Sequence, residues 1–261
     1  MRRLSRTLTR PLYALYERRL VRLLDREALP RHIGVIHDGH RRFARTEHLA
    51  DYRAGYQAGM EKFEEFLTWC HDLQIPAVTC WLLSTENLKR PPAELDPYYD
   101  VLGGLFRRLP RLAEEQAMEV RFIGSLDLLP RPLLAAAKDL EESCSSGQQR
   151  LTIALAYGGR QEIVDATRDL VGGLAEKGYT AASAAAAITA AGIAEHLYTA
   201  DLPDPDLVLR TSGESRLSGF LLWQAAYAEY SFIDVYWPAF RRVDFLRALR
   251  EFTHRERRFG R

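Results

Sequence analysis

Residues 32–45 read HIGVIHDGHRRFAR. The apolar run Ile33–Ile36 is short and rich in β-branched residues, the signature of a buried strand. It stops at His37-Asp38-Gly39-His40-Arg41-Arg42, a turn with one carboxylate, one glycine, two imidazoles and two guanidiniums. In an open α/β sheet, ligands bind beyond the carboxyl ends of the strands. A glycine there lets backbone N–H groups approach an anion, and arginines add forked donors. Asp38 beside them can hold a divalent cation against the same anion. The stretch reads as a phosphate or diphosphate cradle with a metal, or as a surface turn closed by a local Asp–Arg pair.

The chain around it has 261 residues, 47% hydrophobic and 27% charged, enough for one sizeable core. Thirty-six basic side chains against 35 acidic ones leave a formal net charge of +1, so nothing global points to nucleic acid. Three cysteines (Cys70, Cys80, Cys144) form no C-x-x-C pair, which favours a reducing cytoplasm over a disulfide framework or a zinc site. His37 and His40 lack two further zinc ligands nearby, and His37, His71 and His254 read as ordinary polar or packing residues. No apolar run approaches a membrane span, and no signal-peptide core is present.

Residues 1–31 form a basic amphipathic segment. From Pro11 a helical stripe runs through Leu12, Leu15, Tyr16, Leu20, Leu23 and Leu24, with arginines around it. It reads as a helix packed on the domain with a solvated arginine face, or as a peripheral contact with anionic lipid. Residues 32–261 then alternate strands and helices. Helices are expected over 52–72, 94–118, 132–143, 161–174 and 243–258, one solvent-side helix over the Ala-rich 181–191, and a short apolar helix over 220–226. Strands are expected over 77–83, 119–123, 151–156, 207–209 and 229–236, after the opening 33–36. This predicts a single α/β domain with a mostly parallel central sheet flanked by helices.

Right-handed crossovers would bring the loops 37–45, 84–90 and 210–218 to one sheet edge. Together they offer Arg42, Arg90, Arg210 and Arg216, the hydroxyls of Ser84, Thr85 and Ser218, and the carboxylate of Asp38, with Glu229 as a second metal-ligand candidate. That set suits two phosphate groups and a Mg²⁺ shared with them. There is no G-x-x-x-x-G-K-[ST], no G-x-G-x-x-G opening a helix and no G-x-S-x-G, which disfavours P-loop, dinucleotide and serine-hydrolase chemistry.

HIGVIHDGHRRFAR (32–45), LLSTENLKRP (82–91), AYGGRQEIVDA (156–166), DLVLRTSGESRLSGFLLWQAAYAEY (206–230) and RERRFG (255–260) resemble, in order and spacing, the motifs of the cis-prenyltransferases, or Z-isoprenyl diphosphate synthases. PLYALYERRL (11–20) is similar to the N-terminal segment of actinobacterial short-chain members. The resemblance implies a homodimer with a hydrophobic tunnel. It also implies Mg²⁺-dependent condensation of isopentenyl diphosphate with an allylic diphosphate, geranyl or farnesyl. Asp38 matches the catalytic aspartate, and Gly39, His40, Arg41 and Arg42 the allylic-diphosphate loop, with Phe43 as aromatic wall. Asn87 matches the amide assigned to proton removal, flanked by Ser84, Thr85, Glu86, Leu88 and Arg90. Arg210, Arg216, Leu217 and Ser218 match the isopentenyl diphosphate site, Glu229 a second Mg²⁺ carboxylate, and Arg258-Phe259-Gly260 a C-terminal motif that reaches the partner subunit.

The sequence departs from that pattern at several points. His40 stands for Asn and adds a titratable group. Arg41 stands for Gly, Tyr56 for a phosphate-contacting His, Tyr52 for an Arg that Arg53 can replace, and Leu88 for an aromatic. Leu82 aligns with a tunnel-wall position that is small in many long-chain members, which favours a short C15 product over a decaprenyl or undecaprenyl carrier precursor. The competing readings are a non-catalytic partner subunit, which Asp38 argues against, and a Mg²⁺-dependent prenyl diphosphate phosphohydrolase.

Overall fold

The computed structural model describes Tyr13 and residues 15–255. Six strands form one sheet: β1 His32–Ile36, β2 Ala77–Trp81, β3 Met118–Ile123, β4 Gln149–Ala154, β5 Leu207–Thr211 and β6 Glu229–Ile233. Every pairing is parallel, in the order β3-β4-β2-β1-β5-β6. The central strands β1, β2 and β5 are buried along their whole length, as parallel strands covered on both faces must be. β1 connects to β2 on one side, while β5 connects to β6 on the other. The order therefore reverses between β1 and β5, and such a switch point opens a crevice beyond the strand ends.

The described helices are α1 (15–23), α2 His40–Thr46, α3 Tyr52–Asp72, α4 Pro92–Glu115, α5 Arg131–Ser143, α6 Gly159–Glu176, α7 Ala181–Ala187, α8 Ala190–Ala194 and α9 Arg242–His254. One sheet face carries the larger core, where Phe63 and Phe66 of α3, Leu102 and Phe106 of α4 and Phe245 of α9 meet Ile33 and Val35. The other face carries Ile36, Trp81, Tyr157, Phe220 and Leu221. Gly34 sits at this second contact: a Cβ there would lie 2.9 Å from the Phe220 ring. α1 buries Leu20, leaves Leu15 and Leu23 exposed, and is followed by the buried Leu24. Arg247 of α9 lies over Tyr16 of α1 at 5.3 Å, and Arg241, just before α9, over Tyr13 at 5.6 Å.

Four local expectations differ from the structure. Residues 37–45 are not a plain turn, because α2 begins at His40. Gly39, at φ +103°, allows the chain to swing from strand into helix there. The Ala-rich segment breaks into α7 and α8, since the hydroxyl of Thr189 caps a new helix by accepting from the Gly192 N–H. Residues 220–226 form turns and a single 3₁₀ turn, Gln224–Tyr227, with Leu221 at φ +43°. β2 stops at Trp81 because Leu82 and Leu83 both turn their N–H groups to the Ala154 carbonyl, at 3.1 and 3.4 Å. The C-terminal Arg258-Phe259-Gly260 motif lies outside the described residues, as does Pro11-Leu12.

Candidate active site

The crevice beyond β1, β2 and β5 holds a cavity of ≈ 600 Å³. Asp38 lines it, two residues past β1. Its backbone is pinned on both sides: its N–H donates to Thr211 Oγ1 at 3.1 Å, and its carbonyl accepts from Thr211 Oγ1 at 2.9 Å and from the Trp237 N–H at 2.9 Å. Its carboxylate accepts from Arg210 at 2.9 Å and from Arg42 at 3.3 Å. Burial would push the carboxyl up, but the hydrogen bond and charge of Arg210, with the charge of Arg42, hold it below the ordinary aspartate value.

Arg210 is buried, 4% exposed. Besides Asp38 it donates to Ser218 Oγ at 2.8 Å and to the Arg216 carbonyl, while its Nε finds no partner. The β5 end therefore fixes the 216–218 segment onto the same guanidinium that holds the β1 loop. On the opposite wall, a 3₁₀ turn (Glu86–Lys89) follows β2. The Asn87 N–H donates to Ser84 Oγ at 3.1 Å, and the Thr85 N–H to the Tyr157 carbonyl at 3.2 Å, so the turn is anchored to the neighbouring β4 loop.

Arg90 closes that turn. Burial and the nearby charge of Arg41 lower its pKa, and no carboxylate among the described residues pairs with it. A half-buried, unpaired guanidinium facing a cavity is a site for an anion. Arg41 instead pairs with Glu94 at the start of α4, at 2.7 Å. Arg42 pairs with Glu214 at 2.9 Å as well as with Asp38, and Glu214 also holds Arg216.

Aromatic and aliphatic side chains line the cavity as well: Tyr56 of α3, Tyr98 of α4, and Trp81, Leu82 and Leu83 at the end of β2. The buried Tyr98 hydroxyl donates to the Leu82 carbonyl at 2.5 Å, and its ring lies 4.7 Å from that of Tyr56. The Tyr56 hydroxyl is buried without a partner. His40 is neutral: burial drives its pKa down to about 4, against the pull of Asp38. The titratable group read from the sequence is therefore silent near neutrality. His37 is also neutral and stacks on Trp237, 3.9 Å between centroids.

The cavity brings together most of the residues read from the sequence. Asp38, Gly39, His40, Arg41 and Arg42 come from the first loop, Tyr56 from α3, and Leu82, Ser84, Glu86, Asn87 and Arg90 from the second loop. Arg210, Arg216 and Ser218 complete it. Phe43, Thr85, Leu88 and Leu217 lie outside its lining; Leu88 and Leu217 pack against the two core clusters. Tyr52 also lies outside, and its hydroxyl accepts from Arg45 at 2.6 Å.

Glu229 is not among the residues that line the cavity. It opens β6 opposite Leu207, at the amino edge of the sheet, and pairs with Arg255 at 3.3 Å. Asp38 lies past the carboxyl edge, so one chain does not place these two carboxylates on one metal. Sequence reasoning missed Ile36, His37, Arg45, Trp81, Leu83 and Tyr98 as lining residues. The strand end gave a signal for Trp81; Tyr98, inside a long helix, gave none.

Comparison with known proteins gives a consistent picture. The family model described as "Putative undecaprenyl diphosphate synthase" matches residues 36–260. A (2Z,6E)-farnesyl diphosphate synthase of Thermobifida fusca is 49% identical over 251 residues, covering 96% of this chain and 97% of that one. An isoprenyl transferase of Deinococcus radiodurans is 50% identical over 250 residues, covering 94% and 90%. Among solved structures, lavandulyl diphosphate synthase from Lavandula x intermedia, in complex with dimethylallyl diphosphate, superposes with a TM-score of 0.84 at 30% identity. The match covers 90% of this chain and 100% of that one.

Proposed function

The chain belongs to the cis-prenyltransferase family of isoprenyl diphosphate synthases, and from that membership we propose that it joins isopentenyl diphosphate to geranyl diphosphate and releases a C15 Z-prenyl diphosphate. The observation that carries this reading is the pair of arginine sets around Asp38. Arg42 and the backbone at Gly39 face the cavity from the β1 side, while Arg210, Arg216 and Ser218 face it from the β5 side. Two diphosphates held on the two sides would place their carbon chains toward one cavity, part of whose lining (Trp81, Leu82, Leu83, Tyr98) is apolar or aromatic.

The reaction breaks the allylic C–O bond, forms a C–C bond to the terminal carbon of isopentenyl diphosphate, and removes one proton from the latter. Charge grows on the leaving diphosphate, where Arg42 stabilises it in proportion to that growth. Asn87 is a neutral amide and a poor base; its role is to orient isopentenyl diphosphate. Asp38 is held ionised and weakly basic by its two arginines. The departing diphosphate is therefore the better proton acceptor.

The donor set fits Mg²⁺. Asp38, with Glu86 on the facing wall, offers one or two carboxylates, and Mg²⁺ completes its shell with phosphate oxygens and water. No cluster of three or more His, Cys, Asp or Glu side chains forms among the described residues, so the ion would be held jointly with substrate. When bound, it supplies charge neutralisation at the leaving group.

The short product is supported by Leu82 and Tyr98. Leu82 lines the cavity, and Tyr98 is locked to its carbonyl, so α4 is tied to the β2 end and both side chains take up room beside the substrate. The T. fusca relative carries the name of a C15 synthase.

A homodimer is supported by β6, an edge strand whose Phe232 is 42% exposed and stacks on Tyr230, beside Tyr227 at 85%. Among the described residues no helix is long and apolar enough to cross a membrane. Peripheral contact would fall to the exposed Leu15 and Leu23 of α1 and its arginines. The three cysteines are free and buried, which supports a cytoplasmic setting.

The test is diphosphate release from geranyl diphosphate with Mg²⁺, with and without isopentenyl diphosphate. Release that depends on the acceptor supports condensation. Inorganic phosphate released without it would mean a phosphohydrolase, and no release of diphosphate or phosphate in either arm a non-catalytic subunit.

A further inference from the structure

Glu214 lies outside every role assigned above, yet it touches both halves of the site. One carboxylate oxygen accepts from Arg42 at 2.9 Å, and the other accepts from Arg216. Arg42 comes from α2 beyond β1; Arg216 comes from the loop beyond β5. A single anionic side chain thus spans the two arginine sets, where the two diphosphates are proposed to bind. These arginines hold its carboxyl below the ordinary glutamate value, so it is ionised. Its side chain is 26% exposed, and it is carried by a loop with left-handed backbone at Ser212 and Gly213. Arg216 is 61% exposed at the rim, so its partner can be exchanged without unburying a charge.

We propose that Glu214 is an internal stand-in for substrate phosphate, displaced from Arg42 and Arg216 as the diphosphates bind. It couples the two half-sites. This rests on the two-diphosphate reading of the cavity.

Two consequences separate this from a purely supporting role. If Glu214 competes with phosphate for the arginines, removing its charge tightens phosphate binding; if it props the arginines in place, removal weakens it. Further, a first diphosphate that takes Arg42 leaves Glu214 with one partner instead of two. Its hold on Arg216 is then easier to break, and the second diphosphate binds more readily. Thermodynamic linkage makes this coupling reciprocal.

Calorimetric titration of the intact chain with inorganic diphosphate in the presence of Mg²⁺ tests the first consequence. Glu214→Gln, which keeps the shape, and Glu214→Ala should both bind about 5-fold more tightly than the parent, the scale of one half-exposed ion pair. The second consequence is read from the Kd of unreactive geranyl thiodiphosphate with and without isopentenyl diphosphate. The parent should bind more tightly with the second ligand present, and Glu214→Gln should show a smaller ratio. Equal or weaker diphosphate binding by folded variants, checked by circular dichroism, overturns the proposal, as does an unchanged ratio. If the parent itself binds no diphosphate, the two-diphosphate reading falls as well, and the two failures are thereby told apart.

Discussion

Asp38 holds its place through four backbone and side-chain partners on three different elements, and its carboxylate is ionised because two arginines face it. Removing it leaves Arg210 buried with one fewer acceptor and removes the carboxylate best placed for a metal. Asp38→Ala should lower turnover at least ~10²-fold while the chain stays folded, as steady-state rates and circular dichroism would show. Near-normal turnover would remove Asp38 from its role. His32, at the start of β1, shows a different use of a buried polar group. Its ring lies 2.6 Å from the Pro203 carbonyl, to which Nδ1–H donates, and 2.8 Å from Thr79 Oγ1, a hydroxyl that can give or take the bond to Nε2. Burial lowers its folded pKa below the ordinary 6.5. Below that pH the unfolded chain binds more protons than the folded one, so the stability His32 contributes is whole above about 6.5 and is lost as pH falls. Urea midpoints at about pH 7.5 and 5.5 should therefore differ less in His32→Gln than in the parent.

At the scale of elements, α2 and α3 meet where a side chain departs from the family pattern. A Cβ at Gly59 would lie 2.1 Å from His40 Cδ2, so the imidazole occupies space that only glycine leaves open. Gly59→Ala should destabilise the chain by ~1–3 kcal/mol, the cost of overpacking a filled core. Adding His40→Asn should recover part of that loss; strict additivity in denaturant unfolding would contradict the contact. This contact also shows where the sequence was readable and where it was not. β1 announced itself because a central parallel strand is apolar on both faces. The helix beginning at His40 did not, because 37–42 hold five polar or charged residues and one glycine with no apolar period, and only the φ of +103° at Gly39 turns them into a helix start. The Ala-rich stretch looked continuous because alanine favours helix everywhere, while the hydroxyl of Thr189 decided the break.

At the scale of the whole molecule, alternation of strands and helices made the parallel sheet legible, and right-handed crossovers put the three polar loops at one edge. The same reasoning left out what depends on strand direction. Glu229 matched a motif, but β6 runs parallel to β5 and carries it to the far edge. Tyr98 and Glu214 were equally hidden, since their roles arise from contacts between segments far apart in sequence, with Leu82 in one case and with Arg42 in the other. The exposed face of β6 bears on assembly: Phe232→Glu should shift the light-scattering mass from two chains toward one, and an unchanged mass would place the interface elsewhere. The short C15 product is proposed from a cavity that Leu82 and Tyr98 help to line. Its most direct measurement is chromatography of the products formed from geranyl diphosphate, labelled isopentenyl diphosphate and Mg²⁺. A single labelled C15 product with a new Z double bond is the expected result; mainly C50 or C55 material would contradict it.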